Sequence, residues 1–123
     1  MQEADKKLIL HLSYPPSVNH YLIASGNRRF LTQRAKDFRQ HVLDEMPLGW
    51  TPFVGRLSLH IDVYPPDCRV RDIDNVVKQI QDSLEHAGAF VNDSQIDKLV
   101  VIRRDVIPRG GKVIITVEAL CAL

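Results

Sequence analysis

Alternating apolar and polar residues mark the clearest element of the chain, at residues 56–64. Aliphatic side chains occupy every second position and polar ones fall between them: Leu57, Leu59, Ile61 and Val63 against Ser58, His60 and Asp62. This period of two predicts a β-strand with one buried face. Shorter apolar runs at residues 8–12, 96–107 and 113–117 predict three more strands, the last two joined as a hairpin across residues 108–111. The first run stops at Pro15-Pro16, and residues 19–29 are predicted to form a loop.

Two other segments carry apolar residues at the three- and four-residue spacing of an amphipathic helix. The first begins after Thr32, a suitable N-cap, and runs to about Glu45. The second covers residues 73–87 and ends at Gly88, in the position of a C-terminal cap. The order of elements is therefore β-α-β-α-β-β, which predicts an α+β fold with two helices packed on a mixed sheet.

Composition is that of an ordinary globular protein. The chain has 123 residues, 45% hydrophobic and 25% charged, so we expect one domain spanning residues 1–123. No apolar run approaches the ~18 residues of a membrane span, and residues 1–7 are polar. We expect a soluble, cytoplasmic protein with no membrane partner. Cys68 and Cys121 are expected to be free thiols, because they are too few for a disulfide framework or a zinc site.

Positive charge is concentrated in two windows, although the formal net charge is only +1. The first window sets five basic residues against Asp37: Arg28, Arg29, Arg34, Lys36 and Arg39. The second sets five against Asp105: Lys98, Arg103, Arg104, Arg109 and Lys112. Basic windows on both sides of an acidic motif would let a protein grip DNA while keeping a cation-binding pocket. The alternative is that each window is a solvated face.

The acidic motif between these windows places Asp72 and Asp74 two residues apart, with Lys78 four residues further on. Carboxylate oxygens with room for water are the ligands that Mg²⁺ and Mn²⁺ prefer. Two such ions about 4 Å apart can activate a water and stabilise the leaving oxygen of a phosphodiester. Lys78 can then hold the scissile phosphate or the developing charge. Such a site usually needs a third carboxylate, for which Asp93 is the best candidate; Asp67, Asp82 and Asp97 are weaker ones.

The same residues also have a purely structural explanation. Asp72 as an N-cap, Asp74 in the first helical turn and an Asp74–Lys78 ion pair would together stabilise any helix by about 1 to 2 kcal/mol. A lone D-x-D is therefore weak support for a metal site. The stretch is not an EF-hand, because the loop glycine and the closing glutamate are missing.

The order of landmarks along most of the chain resembles the RusA family of Holliday-junction endodeoxyribonucleases. Four segments carry the resemblance: Tyr14-Pro15-Pro16-Ser17-Val18-Asn19, then Arg71-Asp72-Ile73-Asp74-Asn75 with Lys78, then Ala87-Gly88-Ala89-Phe90-Val91-Asn92-Asp93, and finally Gly110-Gly111 in the closing segment. No single segment is diagnostic, but four in order in a chain of family length are fairly specific.

The resemblance implies a homodimer that binds four-way DNA junctions and cuts two strands symmetrically with Mg²⁺ or Mn²⁺, without a small-molecule cofactor. It implies that Asp72, Asp74 and Asp93 are metal ligands and Lys78 the cation beside the phosphate. DNA contacts are expected from seven arginines: Arg28, Arg29, Arg34, Arg69, Arg71, Arg103 and Arg104. Two features depart from the family pattern, namely Asn92 where many relatives have an acid, and the near-neutral net charge. A non-catalytic protein that binds branched DNA is the alternative function.

Geometry raises a question about Asp93. A helix over residues 73–87 is about 21 Å long at ~1.5 Å per residue, and five more residues reach at most ~17 Å. Asp93 can therefore join Asp72 in one chain only if the loop runs straight back along the helix. The other route is a site completed by the partner subunit, and we expect that second route.

Overall fold

The computed structural model describes residues 3–17, 22–26 and 28–120. Six strands and two α-helices are present in this part of the chain: β1 (Lys7–Leu12), β2 (Leu22–Ser25), β3 (Arg28–Leu31), α1 (Gln33–Glu45), β4 (Leu57–Tyr64), α2 (Val77–His86), β5 (Ile96–Arg103) and β6 (Lys112–Ala119). Short 3-10 turns lie at Glu3–Asp5, Ile73–Val76 and Asp93–Gln95. The predicted α+β class is confirmed.

A mixed four-stranded sheet forms the centre of the fold, in the order β1-β6-β4-β5. The β6 strand is antiparallel to both β1 and β4, whereas β4 and β5 are parallel. The predicted hairpin between the last two strands is wrong, because β4 lies between β5 and β6. The connecting segment follows the end of β4 instead: the Arg104 amide donates to the Val63 carbonyl at 2.7 Å, and the Ile107 amide donates to the Pro65 carbonyl at 2.9 Å.

A second, two-stranded sheet is formed by β2 and β3. The prediction of a loop over residues 19–29 is therefore wrong for its described part, and the element order gains two strands before α1. Gly26 has φ 61°, the left-handed conformation that a tight turn requires. Residues 18–21, which include part of the Tyr14–Asn19 motif, lie outside the described residues.

The core lies between one face of the main sheet and the two helices. Alternate residues of the inner strands are buried, as the pattern of residues 56–64 predicts: Leu57, Leu59, Ile61 and Val63 in β4, and Val113, Ile115 and Val117 in β6. Phe38 and Val42 of α1 and Ile80 and Leu84 of α2 pack against them. The α1 helix begins where predicted, since the Thr32 hydroxyl accepts a hydrogen bond from the Ala35 amide at 3.2 Å.

Within the described residues, neither helix is long and apolar enough to cross a bilayer.

Candidate active site

The acidic motif forms a single 3-10 turn, Ile73–Val76, that leads directly into α2. Asp72 is the residue before this turn, and its backbone carbonyl accepts from the Asn75 amide at 3.1 Å. Its side chain makes no capping hydrogen bond. Both Asp72 and Asp74 are exposed. Of the three parts of the structural explanation, the Asp72 side-chain cap is missing, whereas Asp74 does lie in the first turn.

Lys78 lies one helical turn beyond Asp74, in the first turn of α2. Its Nζ is 3.0 Å from Asp82 Oδ1 and 3.9 Å from Asp93 Oδ2. The lysine side chain remains 64% exposed in spite of these two ion pairs. An ammonium group in this position is open to an anion arriving from solvent.

The loop after α2 turns back along the helix that precedes it. Gly88 has φ 80° and its amide donates to the Glu85 carbonyl at 3.1 Å, so the helix ends at the predicted glycine. Phe90 then forms a parallel bridge with Phe53. The Asp93 amide donates to Glu85 Oε1 at 2.8 Å. The chain thus passes Glu85 and brings Asp93 to Lys78.

Gln95 holds this returning loop in place. Its side-chain oxygen accepts from the amides of Val91 and Asn92, both at 2.8 Å. Its side-chain nitrogen donates to the carbonyls of Phe53 at 2.9 Å and Gly55 at 2.8 Å. Sequence reasoning missed this residue. The available signal was the spacing of Asn92 and Gln95, which form a capping box around the 3-10 turn that carries Asp93.

Asp93 therefore approaches Lys78 within its own chain. The loop takes the route back along α2 that a site within one chain requires. The expectation that the partner subunit supplies Asp93 stays a prediction. The weaker candidates for a third carboxylate have partners of their own. Asp67 pairs with Arg71, Asp97 with Arg56, and Asp82 with Lys78.

The donor set at the turn fits a hydrated Mg²⁺ chemically. No three acidic, histidine or cysteine side chains of the described residues converge as a ready cage. However, Mg²⁺ usually keeps several waters and binds one or two carboxylates together with substrate phosphates. The exposed, uncapped carboxylates of Asp72 and Asp74 meet that requirement. The ammonium of Lys78, one helical turn beyond Asp74, partly balances the charge of Asp93.

Four of the expected DNA-contacting arginines line one cavity of about 160 Å³ together with Asp72: Arg69, Arg71, Arg103 and Arg104. The fold thus brings Arg103 and Arg104 of the second basic window to the acidic turn. Arg34 lies apart from this cavity, at the start of α1. The side chains of Arg28 and Arg29 lie outside the described part of the structure.

Asp67 and Arg71 form a clamp immediately before Asp72. Arg71 Nη1 is 2.7 Å from Asp67 Oδ1, and the Asp67 carboxylate also accepts from the Arg69 amide at 3.0 Å. The hydrogen bond from Arg71 lowers the pKa of Asp67 to about 2. The Arg71 guanidinium lies over the Tyr14 ring at 5.8 Å, and Arg103 donates to the Arg71 carbonyl. These contacts fix the backbone that delivers Asp72.

Arg104, which directly follows β5, is held by Asp62 of β4. Its Nε donates to Asp62 Oδ1 at 2.7 Å, and His60 Nε2 lies 3.3 Å from the same oxygen. Partial burial opposes ionisation of Asp62, but the hydrogen bonds from Arg104 and His60 lower its pKa. The charge of Arg104 is therefore partly balanced. Arg69 also has an ion pair, with Asp67 at 3.6 Å, but 83% of its side chain remains exposed.

Comparison with known proteins connects this arrangement to one family. The family model described as endodeoxyribonuclease RusA matches residues 13–118, a range that contains the acidic turn, Lys78 and Asp93. The crossover junction endodeoxyribonuclease rusA of Enterobacteria phage HK97 is 35% identical over 113 residues, covering 89% of this chain and 92% of that relative. The proteins of the same name from Enterobacteria phage 82 and Escherichia coli K12 are 28% and 27% identical over 112 and 111 residues, with the same coverage.

Proposed function

The chain belongs to the endodeoxyribonuclease RusA family, and we propose that it is a metal-dependent, structure-selective endonuclease that resolves four-way DNA junctions. Its relatives are named crossover junction endodeoxyribonucleases. The reaction would be hydrolysis of two phosphodiester bonds, placed symmetrically at the junction. A homodimer carries one site for each of the two cuts.

One observation connects the proposed function to particular residues of this chain. Asp93 returns along α2 to within 3.9 Å of Lys78 Nζ, and Lys78 follows the turn that presents Asp72 and Asp74. Asp93, from a separate segment of the chain, thus approaches the lysine of the acidic motif. The Gln95 contacts hold the loop that carries Asp93 in this position.

In this proposal Asp72, Asp74 and Asp93 would hold Mg²⁺, with Mn²⁺ as a substitute. The bound ion would supply an activated water and neutralise charge on the phosphate. Lys78 would hold a phosphate oxygen through its exposed ammonium group, exchanging part of its pairing with Asp82 and Asp93 for the substrate. The Asp67–Arg71 clamp would keep Asp72 in position.

DNA would be gripped by the arginines around the acidic turn. Arg69 is the most open of them, and Arg103 and Arg104 extend the positive surface along the end of β5. Phosphate contacts of this kind give affinity that falls as salt rises, with no reading of sequence. They orient the strand so that one phosphate lies beside Asp72.

The alternative function is binding of branched DNA without cutting it. The exposure of the Asp72 and Asp74 carboxylates argues against this alternative. Exposed carboxylates repel DNA phosphates, so Asp72 and Asp74 would weaken DNA binding by a protein that does not cut DNA. The Asp72 side chain makes no capping hydrogen bond to the turn that follows it.

Cleavage of a synthetic four-way junction and of a linear duplex with the same arm sequence tests the proposal. With Mg²⁺ we expect paired cuts in the junction and an intact duplex, and with EDTA no cuts in either. Binding of the junction without any product under Mg²⁺ or Mn²⁺ would favour the non-catalytic alternative.

A further inference from the structure

A second, larger cavity adjoins the one that contains Asp72. It is an open groove of about 610 Å³ between the segment after β1, the start of α1 and the loop that leads to the acidic turn. Tyr14, Arg69 and Arg71 line both cavities, so the two lie side by side. Asn75, which directly follows Asp74, also lines the groove. The groove therefore begins at the acidic turn itself.

Part of the wall of this groove is apolar. Tyr14 and Pro16 are half-buried and Val70 is fully exposed, whereas Pro15 and Phe38 line the groove as buried residues. The aromatic ring of Tyr14 is a flat surface of the kind that a nucleobase uses for stacking.

The charge around the groove suits a DNA strand. Arg34 contributes from α1, and Arg69 from the loop before the acidic turn; both are exposed. Asp37 is the acid on the α1 side, and its carboxylate accepts from the Gln33 amide group at 2.8 Å. Both Arg71 and Arg69 pair with Asp67, but the Arg69 pair is longer, at 3.6 Å, and leaves 83% of the Arg69 side chain exposed. Two exposed guanidinium groups thus flank a partly apolar groove, which matches a phosphate attached to an aromatic base.

The size of the groove limits what can enter. Sites for a single small molecule usually measure about 300–1,000 Å³, and the groove falls in that range. A base still paired within a duplex cannot enter such a cavity, because its partner strand would meet the walls. A base that has left the stack can enter, at a cost that is lowest where pairing is already broken.

We propose that this groove binds one unstacked nucleotide of the DNA strand, next to the phosphate that is cut. The proposal rests on the nuclease function proposed above and adds a source of its selectivity. The branch point of a junction supplies an unpaired nucleotide at low cost, whereas a linear duplex must first open a base pair.

Val70 gives a variant that perturbs the groove without touching the core, because its side chain is fully exposed. A Val70→Glu substitution places a carboxylate at the mouth, where it repels the nucleotide phosphate. Leu48→Glu is the matched control, since Leu48 is equally exposed but lies in the connection between α1 and β4, outside the groove.

The experiment uses four-way junctions that carry 2-aminopurine, one position at a time, around the branch point. Its fluorescence rises when the base leaves the stack. In buffer without divalent cations, wild-type protein and Leu48→Glu should raise the fluorescence severalfold at one position beside the cut site, and Val70→Glu should not. With Mg²⁺, Val70→Glu should cut the junction about tenfold more slowly than Leu48→Glu.

Two results would overturn the proposal, and they differ in what else they affect. If wild-type protein cuts the junction while no position brightens and Val70→Glu matches Leu48→Glu, the groove does not bind a nucleotide and the nuclease function stands. If wild-type protein neither binds nor cuts the junction, the nuclease function fails together with the groove.

Discussion

Replacing Gln95 with alanine tests how the site is built. Gln95 is 7% exposed, and its side chain makes four hydrogen bonds that tie the Asp93 loop to the segment around Phe53. In a Gln95→Ala variant all four bonds are lost. The loop then has no fixed route back along α2, and Asp93 loses its position beside Lys78.

The loss in the free energy of unfolding depends on the surroundings of each of these four hydrogen bonds. A typical intramolecular hydrogen bond contributes about 0.5–1.5 kcal/mol net, and a buried group left without a partner costs about 1–3 kcal/mol. The amides of Val91 and Asn92 belong to exposed residues and can turn to water. The Phe53 carbonyl belongs to a fully buried residue and cannot. We therefore expect a loss of about 2–4 kcal/mol in the free energy of unfolding.

Urea unfolding measures this loss, and junction cleavage well below the unfolding midpoint measures its effect on the site. We expect cleavage to fall at least tenfold even where the variant is fully folded. Gln40→Ala is the control, because Gln40 is an exposed glutamine of α1 with one hydrogen bond, to Asp44 at 2.8 Å. A Gln95→Ala protein that loses less than about 1 kcal/mol, or that cuts like wild type, would refute the reasoning.

Three further outcomes follow from the geometry. The arginine partner of Asp67 lowers its pKa from 3.8 to about 2, so the pair's contribution to the free energy of unfolding is complete above about pH 4 and disappears as the pH falls toward 2. In urea unfolding, Asp67→Asn should therefore lose less stability than wild type over that pH range. Parallel plots of the free energy of unfolding against pH for the two proteins would contradict a stabilising role of the pair. Gly111→Ala should destabilise the protein more than Gly49→Ala. Both glycines have positive φ, but of the two only Gly111 would bring a Cβ within 2.4 Å of a backbone carbonyl oxygen. We expect an extra loss of about 1–3 kcal/mol in the free energy of unfolding, measured by heat or urea; equal losses would show that the backbone relaxes without cost. Mixed subunits of Asp72→Asn and Asp93→Asn should not regain junction cleavage, because Asp93 approaches Lys78 of its own chain. Recovered cleavage on mixing would mean that the site is shared between subunits.

Local patterns predicted the parts of the fold that depend on neighbouring residues. The alternation over residues 56–64 and the Thr32 cap of α1 are set by contacts within a few positions, and both are present in the structure. The pairing of β5 and β6 depends on which strand each meets across the sheet. The apolar patterns of β5 and β6 do not indicate that β4 lies between them in the sheet.

The site divides in the same way. The spacing of Asp72, Asp74 and Lys78 placed them correctly at the start of α2. The position of Asp93 depends on the contact of Gln95 with Phe53, 42 residues earlier in the chain, and helix length alone could not predict that contact. The pairing of Arg71 with Asp67 at 2.7 Å was not predicted either, and the DNA contact expected of Arg71 stays a prediction.

The most direct test of the central claim is single-turnover cleavage of a four-way junction with Mg²⁺ by wild-type protein, Asp74→Asn and Asp44→Asn. Asp44 is an exposed aspartate of α1 that lies outside the acidic turn, so its variant controls for the loss of one charge. We expect wild type and Asp44→Asn to cut the junction at equal rates and Asp74→Asn to be slower by more than about 100-fold, since removing a metal ligand costs more than disturbing its supports. Cleavage by Asp74→Asn at the wild-type rate would contradict the claim that this acidic turn is the catalytic centre.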